Sequence, residues 1–201
     1  MGAIMRVMSI IGRAVVLGCV AAAVAACSGS SSSTGGASGT ASVSGTIGGQ
    51  SVATTNVVAV VGSETTNGTT VQLDSIVLTS VSDACSFLQN PTHRLPSSST
   101  LILAAGAIAP SVPTGTFNIG TYGYASYYAD SATCVLTTSE TANGGSVVLT
   151  SVSSDSIDGT FDVTMPNGDH LSGSFDAPVC SGVSYQQLQN AQTANLPCQS
   201  Q

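Results

Sequence analysis

The stretch Ser156 to Pro178, SIDGTFDVTMPNGDHLSGSFDAP, constrains the fold more than any other part of the chain. Apolar or small residues alternate with polar ones on both sides of Pro166-Asn167-Gly168, which predicts two β-strands joined by a tight turn. A two-residue Asn-Gly turn would place Val163 opposite Ser172, a core residue opposite a solvent-facing one. A three-residue Pro-Asn-Gly loop pairs Val163 with Leu171 instead, and this is the predicted turn.

In this register each phenylalanine of the hairpin lies opposite a glycine. Phe161 pairs with Gly173, and Phe175 pairs with Gly159, so each ring can cover the bare backbone of its partner. Gly168 is expected to supply the left-handed residue of a bulge at the turn. Both rings are therefore predicted to lie on one buried face.

The rest of the chain contains further short apolar or alternating segments separated by Pro, Gly and Asn. These segments are residues 43–47, 56–62, 69–73, 75–80, 100–108, 115–120, 122–128, 134–140 and 145–152. We therefore predict an all-β domain, a single antiparallel β-sandwich or open barrel of about nine or ten short strands.

Several local features refine this prediction. Segment 56–62 is apolar on both faces, as a covered central strand would be. The alternation changes phase between Leu73 and Ile76, which predicts a β-bulge near Asp74.

Two short helices are also predicted. Ser82 can cap the segment DACSFLQ, and Ser184 with Gln187 forms a capping box ahead of YQQLQNAQ.

The charged residues are few and mostly acidic. The chain has ten Asp and Glu, no Lys and three arginines, giving a net charge of −7. Two of the arginines, Arg6 and Arg13, lie in the first thirteen residues, so the remainder is strongly acidic. Such a surface lacks the basic residues that bind the phosphates of nucleic acids, and it disfavours direct docking on an anionic membrane. The third arginine, Arg94, is expected to pair with one of the acids.

The N-terminal segment has the features of an export signal. Met1 to Arg13 is basic, and Ala14 to Ala26 is thirteen uncharged residues, too short to span a bilayer, which needs about 20. After it, the serine- and glycine-rich residues 28–41 predict a disordered tether. The predicted organisation is a signal peptide at 1–26, Cys27 with its tether at 27–41, and a globular domain at 42–201.

The end of the signal resembles the lipobox of bacterial lipoproteins, because Val24-Ala25-Ala26 precedes Cys27. The resemblance implies cleavage before Cys27, a diacylglyceryl group on its thiol and an acyl chain such as palmitate on its amine. Cleavage at Ala23-Val24-Ala25 instead would leave a soluble secreted protein. Ser28 resembles the second mature residue of lipoproteins sorted to the outer membrane.

If Cys19 leaves with the leader and Cys27 is acylated, as the resemblance implies, four cysteines remain: Cys85, Cys134, Cys180 and Cys198. An even number in an exported chain predicts two disulfides, with three connectivities open. The sequential pairs Cys85–Cys134 and Cys180–Cys198 are favoured.

The late block TSV…GTFDV…NGDHL.GSFDAPVC resembles small envelope lipoproteins of Gram-negative bacteria. This block carries no known activity, so the resemblance implies only the fold and an envelope location.

Two groups of residues are candidate binding sites. Asp158 faces Asp176 in the predicted register, with Asp162 on the same outward face, and opposed carboxylates could share Ca²⁺. The alternative is a solvated acidic face without metal. Tyr122, Tyr124 and Tyr128 would share one face of a strand and could stack on a sugar or a partner, or simply pack half-buried.

No nucleophile elbow, metal-protease motif, P-loop or dinucleotide fingerprint occurs in the sequence, and no catalytic residue is assigned. The two histidines, His93 and His170, are expected to be solvent-exposed.

The predicted function is that of a lipid-anchored, non-enzymatic binding or structural module of the cell envelope, with an envelope protein or glycan as partner. The alternative is a small hydrolase or carbohydrate-active domain that uses the acidic face and the tyrosines. A cleft with two carboxylates about 5–10 Å apart beside the tyrosines would favour this alternative.

Overall fold

The structure is a computed structural model that describes residues 39–188 and 196–199. Its strands are β1 Thr40–Ile47, β2 Gln50–Ser51, β3 Asn56–Thr66, β4 Thr69–Thr79, β5 Ser99–Ala107, β6 Gly115–Asn118, β7 Gly123–Asp130, β8 Leu136–Thr141, β9 Gly144–Val152, β10 Ser156–Thr164 and β11 His170–Pro178. Helix α1 spans Ala84–Gln89, and a second helix begins at residues 185–188.

The eleven strands form two antiparallel sheets. One sheet has the order β2-β1-β11-β10-β9-β6, and the other has the order β3-β4-β5-β7-β8. The inner faces pack on each other and bury one apolar core, whose largest fully buried members include Ile76, Leu78, Leu101, Leu103, Leu149, Ile157, Met165 and Leu171. The predicted all-β sandwich is confirmed, with eleven named strands rather than nine or ten.

The predicted hairpin register is confirmed at every rung. Val163 pairs with Leu171, Phe161 with Gly173 and Gly159 with Phe175. A Cβ at Gly173 would lie 2.8 Å from the ring of Phe161, so only glycine leaves room for this ring. The turn has the three-residue loop, with Gly168 at φ 90° in the left-handed region.

The globular domain begins slightly earlier than predicted. Strand β1 starts at Thr40, which pairs with Asp176 of β11, so Thr40 and Ala41 of the predicted tether belong to this strand. The predicted signal peptide, Cys27 and residues 28–38 of the tether lie outside the described residues.

Residues 57–60 of β3 are buried on both faces, as predicted, whereas Val61 of the same segment is exposed. The strand lies at the edge of its sheet rather than at the centre. The chain that leaves β11 partly covers this edge: the amide of Cys180 donates to the carbonyl of Ala59 at 2.7 Å. The amide of Gly39 donates to the carbonyl of Val57 at 3.3 Å. An edge strand can thus be apolar on both faces when neighbouring chain protects its backbone.

The predicted bulge near Asp74 is wrong. Strand β4 pairs with β3 from Thr69 to Thr79 without a register shift, so both polar residues at the change of phase are buried. Asp74 faces the core between the sheets, and Ser75 faces the opposite side. The strand therefore keeps its regular backbone hydrogen bonding, even though the alternation of apolar and polar side chains changes phase at this point. Burial raises the pKa of Asp74 from 3.8 to about 6.

One of the two predicted helix caps is confirmed. The amide of Ser184 donates to Oε1 of Gln187 at 2.8 Å, and the amide of Gln187 donates to Oγ of Ser184 at 3.2 Å. The predicted Ser82 cap is wrong, because α1 begins one residue later: Asp83 occupies the cap position with φ 50° and makes no side-chain cap. Within residues 39–188 and 196–199, no helix has the length and apolar character needed to cross a bilayer.

All four predicted cysteines form disulfides, but the favoured connectivity is wrong. The bonds join Cys85 to Cys180 and Cys134 to Cys198, with Cα atoms 5.4 and 5.5 Å apart. The chain that follows β11 crosses to the edge of β3, where the amide of Cys180 donates to Ala59. Helix α1 lies beside this segment, which brings Cys85 to Cys180. Residues 196–199 lie beside Arg94 and the turn that follows β7, which brings Cys198 to Cys134. The spacing of the cysteines in the sequence does not indicate which of these segments lie next to each other in the fold.

We expect Phe161→Ala to lower the free energy of unfolding by about 3–5 kcal/mol, because it removes a buried ring and uncovers the backbone of Gly173. Chemical denaturation measures the change. Thr160→Ala, on the exposed face of the same strand, is the matched control and should change stability by less than about 0.5 kcal/mol. Equal effects of the two substitutions would contradict the observed register.

Asp74→Asn tests the buried carboxyl. Because the folded-state pKa is raised, the contribution of Asp74 to wild-type stability is largest below pH 4 and declines as the pH rises to about 6. The decline due to this group is about 3 kcal/mol. The variant should match wild type near pH 3.5 and exceed its stability above pH 6, as measured by denaturation across pH. An unchanged difference between the two proteins at all pH values would contradict this assignment.

Candidate functional site

The outer face of the five-stranded sheet carries a second apolar cluster, which we call the outer cluster. Its buried members are Val58, Val60, Leu73, Val77, Ala84, Leu88, Ile102, Cys180, Val183, Tyr185 and Leu188. Helix α1 and the chain after β11 supply the cover over this face. Between α1 and the sheet the cover leaves a pocket of about 90 Å³, which we call the outer pocket.

The floor of the outer pocket consists of outward-facing residues from three neighbouring strands: Val77 and Thr79 of β4, Thr100 and Ile102 of β5, and Tyr128 of β7. Alternate residues of a strand point to the same face, so β4 and β5 each contribute a pair with one intervening residue, and β7 contributes one residue. Thr79 faces Thr100 across the strands, and their hydroxyl oxygens lie 3.0 Å apart. The floor is thus apolar at one end and hydroxyl-lined at the other.

The walls come from parts of the chain that are distant in sequence. Ala84, Phe87 and Leu88 of α1 form one wall, with Leu95, Leu136 and Leu188 around the remainder. The disulfide of Cys85 fixes α1 to the chain that follows β11. This covalent connection holds the wall in place where a helix of six residues has little stability of its own.

An ion pair forms the polar end of the pocket. The guanidinium of Arg94 contacts both carboxylate oxygens of Asp130, with Nε 3.3 Å from Oδ2. The hydroxyl of Ser98 donates to the same Oδ2 at 3.3 Å. The side chains of Arg94 and Asp130 are only 24% and 11% exposed, so the pair is largely shielded from water. The predicted pairing of Arg94 with an acid is confirmed.

The backbone of Arg94 is also held firmly. Its amide donates to the carbonyl of Pro197 at 2.8 Å, and its carbonyl accepts from the amide of Gln199 at 3.1 Å. The neighbouring Cys198 is bonded to Cys134. The backbone at Arg94 is therefore fixed by an isolated β-bridge to Cys198, next to a disulfide.

The predicted tyrosine face is only partly formed. Tyr124 and Tyr128 lie together on the outer face, where the hydroxyl of Tyr124 is 2.6 Å from Oγ of Ser126. Burial, together with the charge and hydrogen bond of Tyr124, raises the pKa of Tyr128 to about 12. Tyr122 precedes β7 in a turn and is 39% exposed. Among the three, Tyr128 lines the outer pocket.

The three predicted metal ligands are not brought together. Asp158 and Asp176 pair directly across β10 and β11, as predicted, and a hydrogen bond between them raises the pKa of Asp176. Asp162 instead contacts Nε2 of His170 at 2.9 Å. Within the part of the chain that the structure describes, no three acidic, histidine or cysteine side chains form a group that could hold a metal ion.

The acidic pair and the tyrosines lie on opposite outer surfaces of the sandwich. Asp158 and Asp176 project from the six-stranded sheet, whereas Tyr124 and Tyr128 project from the five-stranded sheet. His93 is near the outer pocket, where its ring meets the ring of Phe87 edge-on at 5.8 Å. The two sets of sequence-predicted residues therefore cannot act in one cleft.

Sequence reasoning did not find the outer pocket. One signal was present: segments 56–62 and 100–108 are apolar on both faces, which indicates a cover on the second face of the sheet. The pocket itself combines residues from at least six separate segments, and sequence spacing does not relate them. Comparison of the chain with protein-family models, with curated proteins and with solved structures found no match.

We expect Arg94→Leu to destabilise the protein by about 3 kcal/mol, because Asp130 would be left largely buried without its partner. Adding Asp130→Leu removes the unpaired charge and should restore most of the loss, since apolar replacements of a buried pair are well tolerated. Chemical denaturation of both variants measures this. If the double variant is as unstable as the single one, the loss does not come from an unpaired charge.

Proposed function

We propose that this protein is a lipid-anchored lipoprotein of the bacterial cell envelope, attached to the outer membrane through Cys27, and that its domain is a binding module. The observation that carries the proposal is the pairing of all four cysteines of the described domain in disulfides. Disulfides of this kind persist in oxidising compartments outside the cytoplasm.

The sequence before the domain supports an anchor. The basic and apolar leader ends in Val24-Ala25-Ala26-Cys27, and residues 28–38 separate Cys27 from the first described residue, Gly39. A serine- and glycine-rich spacer of this length would hold the domain roughly 20 Å from the bilayer surface. Ser28 supports sorting to the outer membrane.

The outer pocket supports binding as the role of the domain. Pockets that bind ligands are concave and mostly apolar with a few placed polar groups. The outer pocket has this composition, with Arg94, Asp130 and Tyr128 among aliphatic walls. Its shape is maintained by both disulfides, which connect α1 and the residues beside Arg94 to the sandwich.

The alternative, a glycoside-type hydrolase on the acidic face, has less support. Such enzymes hold two carboxyl groups about 5–10 Å apart with the sugar between them. Asp158 and Asp176 are close enough to share a hydrogen bond, and the tyrosines lie on the other side of the sandwich. This geometry leaves no space for a sugar between the carboxyl groups.

Cys27→Ala tests the anchor. The variant should lose metabolic labelling with palmitate and should leave the membrane fraction or accumulate unprocessed, because the acylated thiol is gone. Cys19→Ala, within the leader, is the matched control and should be labelled like wild type. Palmitate labelling that persists in Cys27→Ala would overturn the proposed anchor.

A further inference from the structure

We infer that the outer pocket binds a small, uncharged, apolar molecule, an inference that rests on the proposed role of the domain as a binding module. The volume limits the ligand. A cavity of about 150 Å³ accommodates benzene, and the outer pocket measures about 90 Å³. By the same ratio the pocket encloses about four non-hydrogen atoms, so the ligand that fits is compact.

The polar groups of the pocket already have partners within the protein. Oγ1 of Thr79 donates to the carbonyl of Ser99 at 3.0 Å and contacts the hydroxyl of Thr100. The carboxylate of Asp130 accepts from Arg94 and from Ser98. A ligand with strong hydrogen-bonding groups would have to break these contacts, whereas an apolar ligand leaves all of them intact.

Charge excludes anions in particular. The described domain has ten acidic residues and one arginine, and this arginine is already neutralised by Asp130. A carboxylate or phosphate entering the pocket would lose its hydration without gaining an available cation. A cationic ligand would likewise lose its hydration without gaining an available anion, because the carboxylate of Asp130 is already paired with Arg94. An uncharged ligand enters the pocket without losing the hydration of a charged group.

Three probes of similar size and different charge test this inference on the full-length protein: isobutanol, isobutyrate and isobutylammonium. Methyl resonances of Val77, Leu95 and Ile102 report occupancy by NMR. Isobutanol should shift them saturably with a Kd of about 1 mM. Both charged probes should bind at least about tenfold more weakly. Equal or tighter binding of either charged probe, or no saturable binding of isobutanol, overturns the inference.

Substitutions on α1 locate the binding. Ala84→Leu places a larger side chain in the pocket and should weaken isobutanol binding at least about tenfold. Ser86→Leu adds the same side chain on the exposed surface of α1 and should leave binding unchanged. Loss of binding in Ser86→Leu, or full binding in folded Ala84→Leu, would place the probe elsewhere and overturn the assignment.

Leu95→Ala keeps the test decisive if Ala84→Leu does not fold. This substitution enlarges the pocket, so cyclohexanol should bind the variant at least about tenfold more tightly than it binds wild type. Equal affinities would overturn the assignment. Palmitate labelling at Cys27 is measured independently, so failure of the ligand inference and failure of the proposed anchor give different results.

Discussion

Strands β3, β4 and β5 carry apolar residues on both faces of their sheet, and much of the remaining structure follows from the need to cover them twice. Val57 and Ala59 enter the core between the sheets, whereas Val58 and Val60 of the same strand enter the outer cluster. Exposing either apolar face to water would cost a large amount of free energy. The six-stranded sheet covers one face, and α1 with the chain after β11 covers the other.

The second cover differs in kind from the first. It is made of a six-residue helix, the segment that follows β11 and residues 196–199, none of which is stable alone. The two disulfides compensate by fixing Cys85 to Cys180 and Cys134 to Cys198. A cover assembled from short pieces packs less completely than a sheet, and the outer pocket lies where these pieces meet the strands.

The described part of the domain contains two largely buried carboxyl groups, one in an ion pair and one without a charged partner. Arg94 and Asp130 neutralise each other at the end of the outer pocket, with Ser98 completing the contacts of the carboxylate. Asp74 lies in the core, its Oδ2 has no hydrogen-bond partner among the described residues, and its pKa is raised to about 6. The first arrangement supports a shaped pocket, whereas the second lowers stability at neutral pH.

The sequence by itself determined the features that depend on neighbouring residues. The hairpin register followed from the alternation around Pro166-Asn167-Gly168, and the capping box of Ser184 followed from spacing within one helical turn. These contacts are local, so the pattern contains the information. The position of β3 at a sheet edge, the regular pairing at Asp74, the disulfide partners and the outer pocket were decided only by the tertiary structure. Each depends on which distant segments meet, and that is set by the joint packing of both sheets and their cover.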